Sequence, residues 1–475
     1  MTCARTVLRV TILSFALMAG TAFGAGVTLP DFERIELANG TVLLLSEQPE
    51  VPLVAMTAIL RGGAVVDPEG QGGLANLLAS LLEKGAGDRD AAQFAEAIDA
   101  SGGVLSSRAD LESITVSGNF LARDADLMVE LLADMLLRPK LEEAEFDKLR
   151  GRSINFIRAA KDSNLNALLP IYGQAFLFGA HPYGNPVSGS ESSLAAIRHE
   201  DVRDYYEQQL GGDRLVIAVT GDFDAAAMIA KLTAAFGDWR PAAAPLPDVP
   251  RAAAQSGRRV LLIDKPGATQ TYFWLGNVGV ARDYENRAAL DIANTVFGGR
   301  YTSMLNTELR VKSGLTYGAQ SQLSKASRPG SLAIVSYTPT ETTFEALDMA
   351  LGVLGRLHAT GVDEEALASA RNYILGQFPT ALETAAQLGR QLAALAAFGL
   401  DVGYINDYGQ ALMAADKAAV AAVIGAVYPS PDDLVFVLLG DAETIRERAS
   451  EYGPLIEMSI AEPHFRAPSA EDDEE

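Results

Sequence analysis

The chain closes its two halves with the same phrase. DRLVIAVTGDFD, residues 213–224, and DDLVFVLLGDAE, residues 432–443, each run an apolar stretch into Gly-Asp and then into a helical pattern. A short apolar run bounded by turn residues reads as a buried strand. Gly-Asp makes the turn, and Asp suits the first cap of the next helix. Between the halves lies RPAAAPLPDVPRAAAQSGRR, residues 240–259, rich in Pro and Ala and without periodicity, which reads as an extended linker. The interiors repeat too. TVLLLSE and PLVAMTAILRGG open the first half, RRVLLIDK and TYFWLGNVGV the second; a Gly-rich stretch, an amphipathic helix and further strands (SITVSGNF; SLAIVSYT) come next in each. A duplicated pair of α+β domains is the architecture this imposes. At 475 residues the chain also exceeds one ordinary core.

The ends fall outside that repeat. Residues 1–24 carry Arg5 and Arg9, a short apolar run and small residues up to Gly24, the pattern of a secretory signal. The only cysteine, Cys3, lies inside it, so the exported chain has neither disulfide nor thiol nucleophile. Such a chain suits the bacterial periplasm, with no stable membrane insertion, since the apolar run is too short for a span. The expected divisions are the signal at 1–24, a first domain at 25–240, a linker at 241–258, a second domain at 259–460 and a disordered acidic tail at 461–475. A formal net charge of −23 argues against nucleic acid as a partner.

Chemistry is hard to find. The four histidines, His181, His199, His358 and His464, are far apart in sequence, with no HExxH and no other paired-ligand spacing. There is no GxSxG elbow. GGLANLLASLLEKGAG, residues 72–87, puts Leu74, Leu77, Leu78, Leu81 and Leu82 on one stripe of a helix that Gly85 and Gly87 end. The opposite face is read as Asn76, Ala79, Ser80 and Glu83, with nothing reactive on it.

This helix resembles the signature helix of the M16 (pitrilysin/insulinase-type) metallopeptidases, G-x-A-H-x-x-E-H-x-x-x-K-G. AFLFGAHPYGNPVSG resembles that family's G-H-P-Y-G loop, DKLRGRSINFIRAAKDS its glutamate-bearing helix, and GGRYTSMLNTELRVKSGLTYGAQS a second-half segment with a spaced Arg and Tyr. The likeness runs the length of the mature chain, in order. It implies two LuxS/metallohydrolase-like domains, each a mostly antiparallel sheet packed with helices, forming half a clamshell. The two zinc histidines and the base glutamate of the motif fall here on Asn76, Ala79 and Ser80. The third ligand falls near Phe156 or Ile157, and no acidic residue lies between Asp147 and Asp162. Ala79 has no lone pair to offer, and neutral Asn76 and Ser80 are poor substitutes. The chain resembles the subunit of two-chain members that lacks zinc.

The resemblance implies a role without metal. It predicts no zinc in this chain, zinc in an M16 partner subunit, peptide substrates, and Arg310 and Tyr317 reaching the partner's site. On spacing alone the plainer reading holds, with Arg310 answering a helix C-terminus and Tyr317 filling a sheet. His181 reads as a loop residue bonded to its neighbours, and Ser106 and Ser107 match the edge strand that pairs with substrate in active members. Two other functions stay open: a structural or peptide-binding scaffold on the same fold, and an unrelated enzyme in the same chamber.

Overall fold

A computed structural model describes residues 26–468. The expected signal and the last residues of the acidic tail lie outside that range. Among the described residues twelve strands form two six-stranded sheets. The first holds β1 (Glu33–Glu36), β2 (Val42–Glu47), β3 (Leu53–Arg61), β4 (Val104–Ala109), β5 (Ser113–Leu121) and β6 (Leu215–Gly221), in the order β1-β2-β6-β3-β5-β4. The second holds β7 (Arg259–Asp264), β8 (Gln270–Val278), β9 (Ala319–Lys325), β10 (Pro329–Pro339), β11 (Val435–Gly440) and β12 (Leu455–Ser459), in the order β12-β7-β11-β8-β10-β9. The duplication is therefore literal over five strands. The outer strand differs: β1 enters antiparallel to β2 from the start of the chain, and β12 enters parallel to β7 from its end. Each sheet is mixed and mostly antiparallel, with the closing strands β6 and β11 running parallel to β2 and β7. Those closing strands are buried along their whole length, as central strands must be. After β6 the helix cap is Asp224, which accepts from the Ala227 amide; after β11 it is Asp441 of the Gly-Asp pair itself.

The first half carries helices α1 (Leu74–Leu82), α2 (Ala91–Ser101), α3 (Ala125–Leu137), α4 (Glu143–Ser163), α5 (Leu165–Phe178), α6 (Glu191–Ala196), α7 (His199–Gln209) and α8 (Ala225–Phe236). The second continues with α9 (Arg287–Phe297), a single turn α10 (Met304–Asn306), α11 (Thr343–Thr360), α12 (Glu364–Gln377) and α13 (Ala385–Ala397). Two of these helices change sides. α5 lies on β8 and β11 of the second sheet, where Gly173 admits the Trp274 indole; a Cβ there would sit 2.6 Å from the ring. α13 lies on β3 and β6 of the first sheet, and its Leu388, Leu392 and Ala393 pack on Leu44, Ile59 and Val216. Burying each leucine is worth about 1.5–3 kcal/mol. The halves are thus welded by exchanged helices as well as linked.

The linker is strapped down. His181 Nε2 lies 2.9 Å from the Pro250 carbonyl, and Arg328 donates to the Val249 carbonyl and pairs with Asp248. The start of the expected tail is also ordered. Phe465 is buried edge-on against Tyr172, and Lys161 donates to Glu191 at 2.8 Å beside the Glu462 carbonyl. The acidic composition hid one aromatic anchor, which corrects the expectation of disorder for residues 461–468. Among the described residues no single helix is long and apolar enough to cross a membrane. The bent pair Tyr408–Ala414 and Lys417–Val427, bent by 101°, buries Leu412, Val420 and Val423 in the second core.

Candidate functional site

α1 starts under the control of Asp67. Its two carboxylate oxygens accept from the Gly73 and Ala75 amides at 2.9 Å each, capping the helix from six residues upstream. Burial pushes this carboxyl up to about 7, against the pull of those donors. Gly73 needs its φ of +98 for the chain to enter the helix, and a Cβ would clash with Gly189. α1 then packs against β4, α4 and α7. Leu74, Ala75, Leu77, Leu78, Ala79, Leu81 and Leu82 are all buried. Ala79 was expected on the quiet face, and the structure places it in the core with no exposed surface. Contacts from three sides widen the buried face beyond the leucine stripe, leaving only Asn76, Ser80 and Glu83 partly open.

The place does not fit a zinc ion. Ala79 is sealed and without a donor atom, Ile157 on α4 is buried, and Phe156 beside it is 71% exposed. Among the described residues no cluster of three or more His, Cys, Asp or Glu side chains could hold a metal. Three of the histidines face separate carbonyls: His181 that of Pro250, His199 that of Leu141 and His358 that of Pro429. His181 accepts from the Tyr183 amide at Nδ1 and faces the Pro250 carbonyl with Nε2, so its ring is committed to the loop. The HPYG loop instead works as a cross-domain clasp. Tyr183 donates to Glu112 at 2.7 Å and accepts from the Arg328 amide. Glu112 in turn takes the Ser327 amide at 2.9 Å, tying the β4–β5 turn to the β9–β10 turn. Burial and the Glu112 bond raise the Tyr183 hydroxyl well above the usual tyrosine range.

Arg310 and Tyr317 do come together. The helix that Arg310 was read as ending is not one continuous α-helix; the structure has α10 and then a π-turn, Thr307–Lys312. A π-turn widens the backbone and rotates the residues after it, a feature common at functional positions. The Arg310 guanidinium carbon lies 5.9 Å from the Tyr317 ring centre and 4.9 Å from that of Tyr301. Tyr317 precedes β9 in a turn, outside the sheet, and is 78% exposed. Its backbone is fixed nonetheless. The Thr316 hydroxyl bonds to both the amide and the carbonyl of Gly318, and Ser336 donates to Thr316 at 3.1 Å. Thr338 holds the Leu315 carbonyl at 2.8 Å. Among the described residues Arg310 has no ion pair and no side-chain hydrogen bond; its partners are two aromatic faces. A cleft of about 640 Å³ opens beside the pair, lined by Asn166, Tyr301, Tyr317, Gln320, Ser336 and Tyr337. Tyr301, 62% exposed, was missed in the sequence. Its only signal was an aromatic next to Gly298-Gly299, where the packing of α9 on β9 requires glycine: a Cβ on Gly298 would sit 2.3 Å from the Ser321 nitrogen.

Residues 42–191 match the family model of the insulinases, peptidase family M16, and residues 196–374 match that of the peptidase M16 inactive domain. The chain belongs to the M16 peptidase family. An uncharacterized zinc protease of Mycobacterium leprae is 27% identical to this M16 chain over 354 residues, 74% of this chain and 79% of that protein. The non-peptidase homolog YmxG of Helicobacter pylori is 22% identical over 371 residues, 78% of this chain and 84% of that one. The crystal structure of a peptidase M16 inactive domain from Pseudomonas fluorescens shares the fold, with a TM-score of 0.81 at 21% identity over 86% of this chain and 98% of that one.

Proposed function

We propose that this M16 chain is a catalytically silent, periplasmic subunit that pairs with a zinc-bearing M16 subunit to form a peptide-degrading or peptide-processing chamber. The observation that carries the reading is a contrast. The helix that would hold zinc is closed around Ala79, while Tyr317 stands exposed on a backbone held by Thr316 and Thr338, and Arg310, half-buried, has only aromatic faces as side-chain partners among the described residues. An Arg and a phenol so placed can donate to a substrate carbonyl, or to the oxyanion that forms when it is attacked. One such donor is worth roughly 2.7–4 kcal/mol in a preorganised site. In this reading the chain supplies chamber closure and those donors, and the partner supplies zinc, general base and water. The non-peptidase designation of the Helicobacter pylori relative agrees with it, as similarity rather than proof.

A scaffold that holds peptides or an envelope assembly is the second reading, favoured by the welded halves and strapped linker. Affinity purification of the tagged chain from its own envelope fraction separates the two. Co-elution of a zinc-containing M16 chain, with cleavage only by the complex, supports the subunit. A stable homodimer that elutes alone, zinc-free and inert, supports the scaffold.

A further inference from the structure

The two sheets end in equivalent edge strands, β4 and β9. A free edge presents unpaired amides and carbonyls, the surface to which an extended peptide adds as another strand. Neither edge here is free at its central serine, and the two are closed by different means. On β9, the Ser321 amide donates to the Gly298 carbonyl at 3.2 Å, and its hydroxyl donates to Asn294 at 2.7 Å. That edge is closed by main chain. On β4, the Ser107 amide donates to Glu83 Oε1 at 2.6 Å. Glu83 stands one turn beyond Ala79, just past the end of α1. The bond shows that the Ser107 amide points away from β5, and antiparallel alternation then turns the Leu105 and Ala109 amides the same way. The neighbouring Ser107 hydroxyl is buried and has no partner among the described residues.

We propose that Glu83 is an internal competitor for the peptide-binding edge of β4. Its carboxylate oxygen takes the place of a peptide carbonyl on the Ser107 amide, so the lone chain does not add a peptide to that edge. The closure is a side chain on a helix end, so one substitution opens it, whereas the β9 edge stays closed. The inference concerns this chain alone and stands whether or not a zinc-bearing partner exists.

The test uses the full mature chain and a blocked, uncharged, fluorescein-labelled ten-residue peptide of alternating Val and Ser. Anisotropy reads binding, and hydrogen exchange of the β4 amides reads its place. Wild type should show no saturable binding. Glu83→Ala and Glu83→Ser should bind at least roughly tenfold tighter, the usual scale for releasing a hydrogen bond to a charged group. In both, the Ser107 amide should exchange faster than in wild type and slow again when peptide is added. Glu83→Gln keeps an acceptor oxygen and should behave as wild type. Peptide protection of β4 in wild type would overturn the proposal. So would variants that bind no better, or bind without protecting β4. Two opening variants guard against one that folds poorly.

Discussion

The Arg310 guanidinium sits over the open face of Tyr317, 5.9 Å from its ring centre, across a π-turn and a glycine with φ of +70. Neither side chain contributes to a core. The order around them is supplied from below, by Thr316, Ser336 and Thr338 on the backbone. Fixing the backbone under a pair that stands outside the cores stabilises the fold little and positions donors well.

Arg310→Ala and Tyr317→Phe should each lower turnover by the complex of this chain with a zinc-bearing partner. The expected loss is roughly 100-fold in kcat, from one preorganised donor removed. Size-exclusion profiles of the complex should be unchanged, since neither side chain is buried in the chain itself. Turnover at the wild-type level would remove the role assigned to the pair. Tyr301→Ala should act more weakly, by letting Arg310 move between rotamers.

Rebuilding the zinc motif should fail at one position. Ala79→Glu forces a carboxylate into a site with no exposed surface. The cost should be ~3 kcal/mol or more, seen as a lower urea midpoint with an unchanged slope. Asn76→His and Ser80→His, on the partly open side, should be tolerated. Isothermal titration with zinc should show no tight site in the double variant, because Ile157 on α4 supplies no third ligand.

Much of this was legible in the sequence because it rests on residue identity and short-range pattern. The Gly-Asp closures placed β6 and β11, and the lack of a donor atom at Ala79 needed no structure. What escaped depends on distant chain. Nothing in AAQLGRQLAALAA says that α13 will cover the first sheet, because an amphipathic stripe does not name its partner. The same holds for Phe465, one aromatic in an acidic tail, and for Glu83, whose partner is 24 residues away on a strand edge. Ala79 was assigned to the wrong side because helical periodicity locates the core when one surface covers a helix; α1 is covered by three.

Phe465→Ala should show how much that tail matters. The ring is 2% exposed, against Tyr172 and under Lys161. Its removal should cost about 3 kcal/mol, the usual range for deleting a buried phenylalanine. Tyr172 should become accessible at the same time, read as quenching of its fluorescence by acrylamide. A change under about 0.5 kcal/mol, the range of ordinary surface substitutions, would mean that residues 461–468 lie loosely on the surface.

Asp67 makes the start of α1 sensitive to pH. Burial raises its carboxyl to about 7 in the folded protein from an ordinary value of 3.8. The folded state therefore holds a proton that the unfolded state has lost. Its contribution to stability is fully present below about pH 4, declines as pH rises through about 7 and is level above that. The slope is of order 1.4 kcal/mol per pH unit across the window. Asp67→Asn removes the titration and should flatten this part of the curve. Urea unfolding of both proteins from about pH 4 to about pH 8.5, a range that brackets the window, reads the difference directly. Wild type should lose its advantage over the variant with rising pH. A gap that widens with pH would show instead that the Gly73 and Ala75 amides hold Asp67 ionised, with the helix cap stronger than the cost of burial.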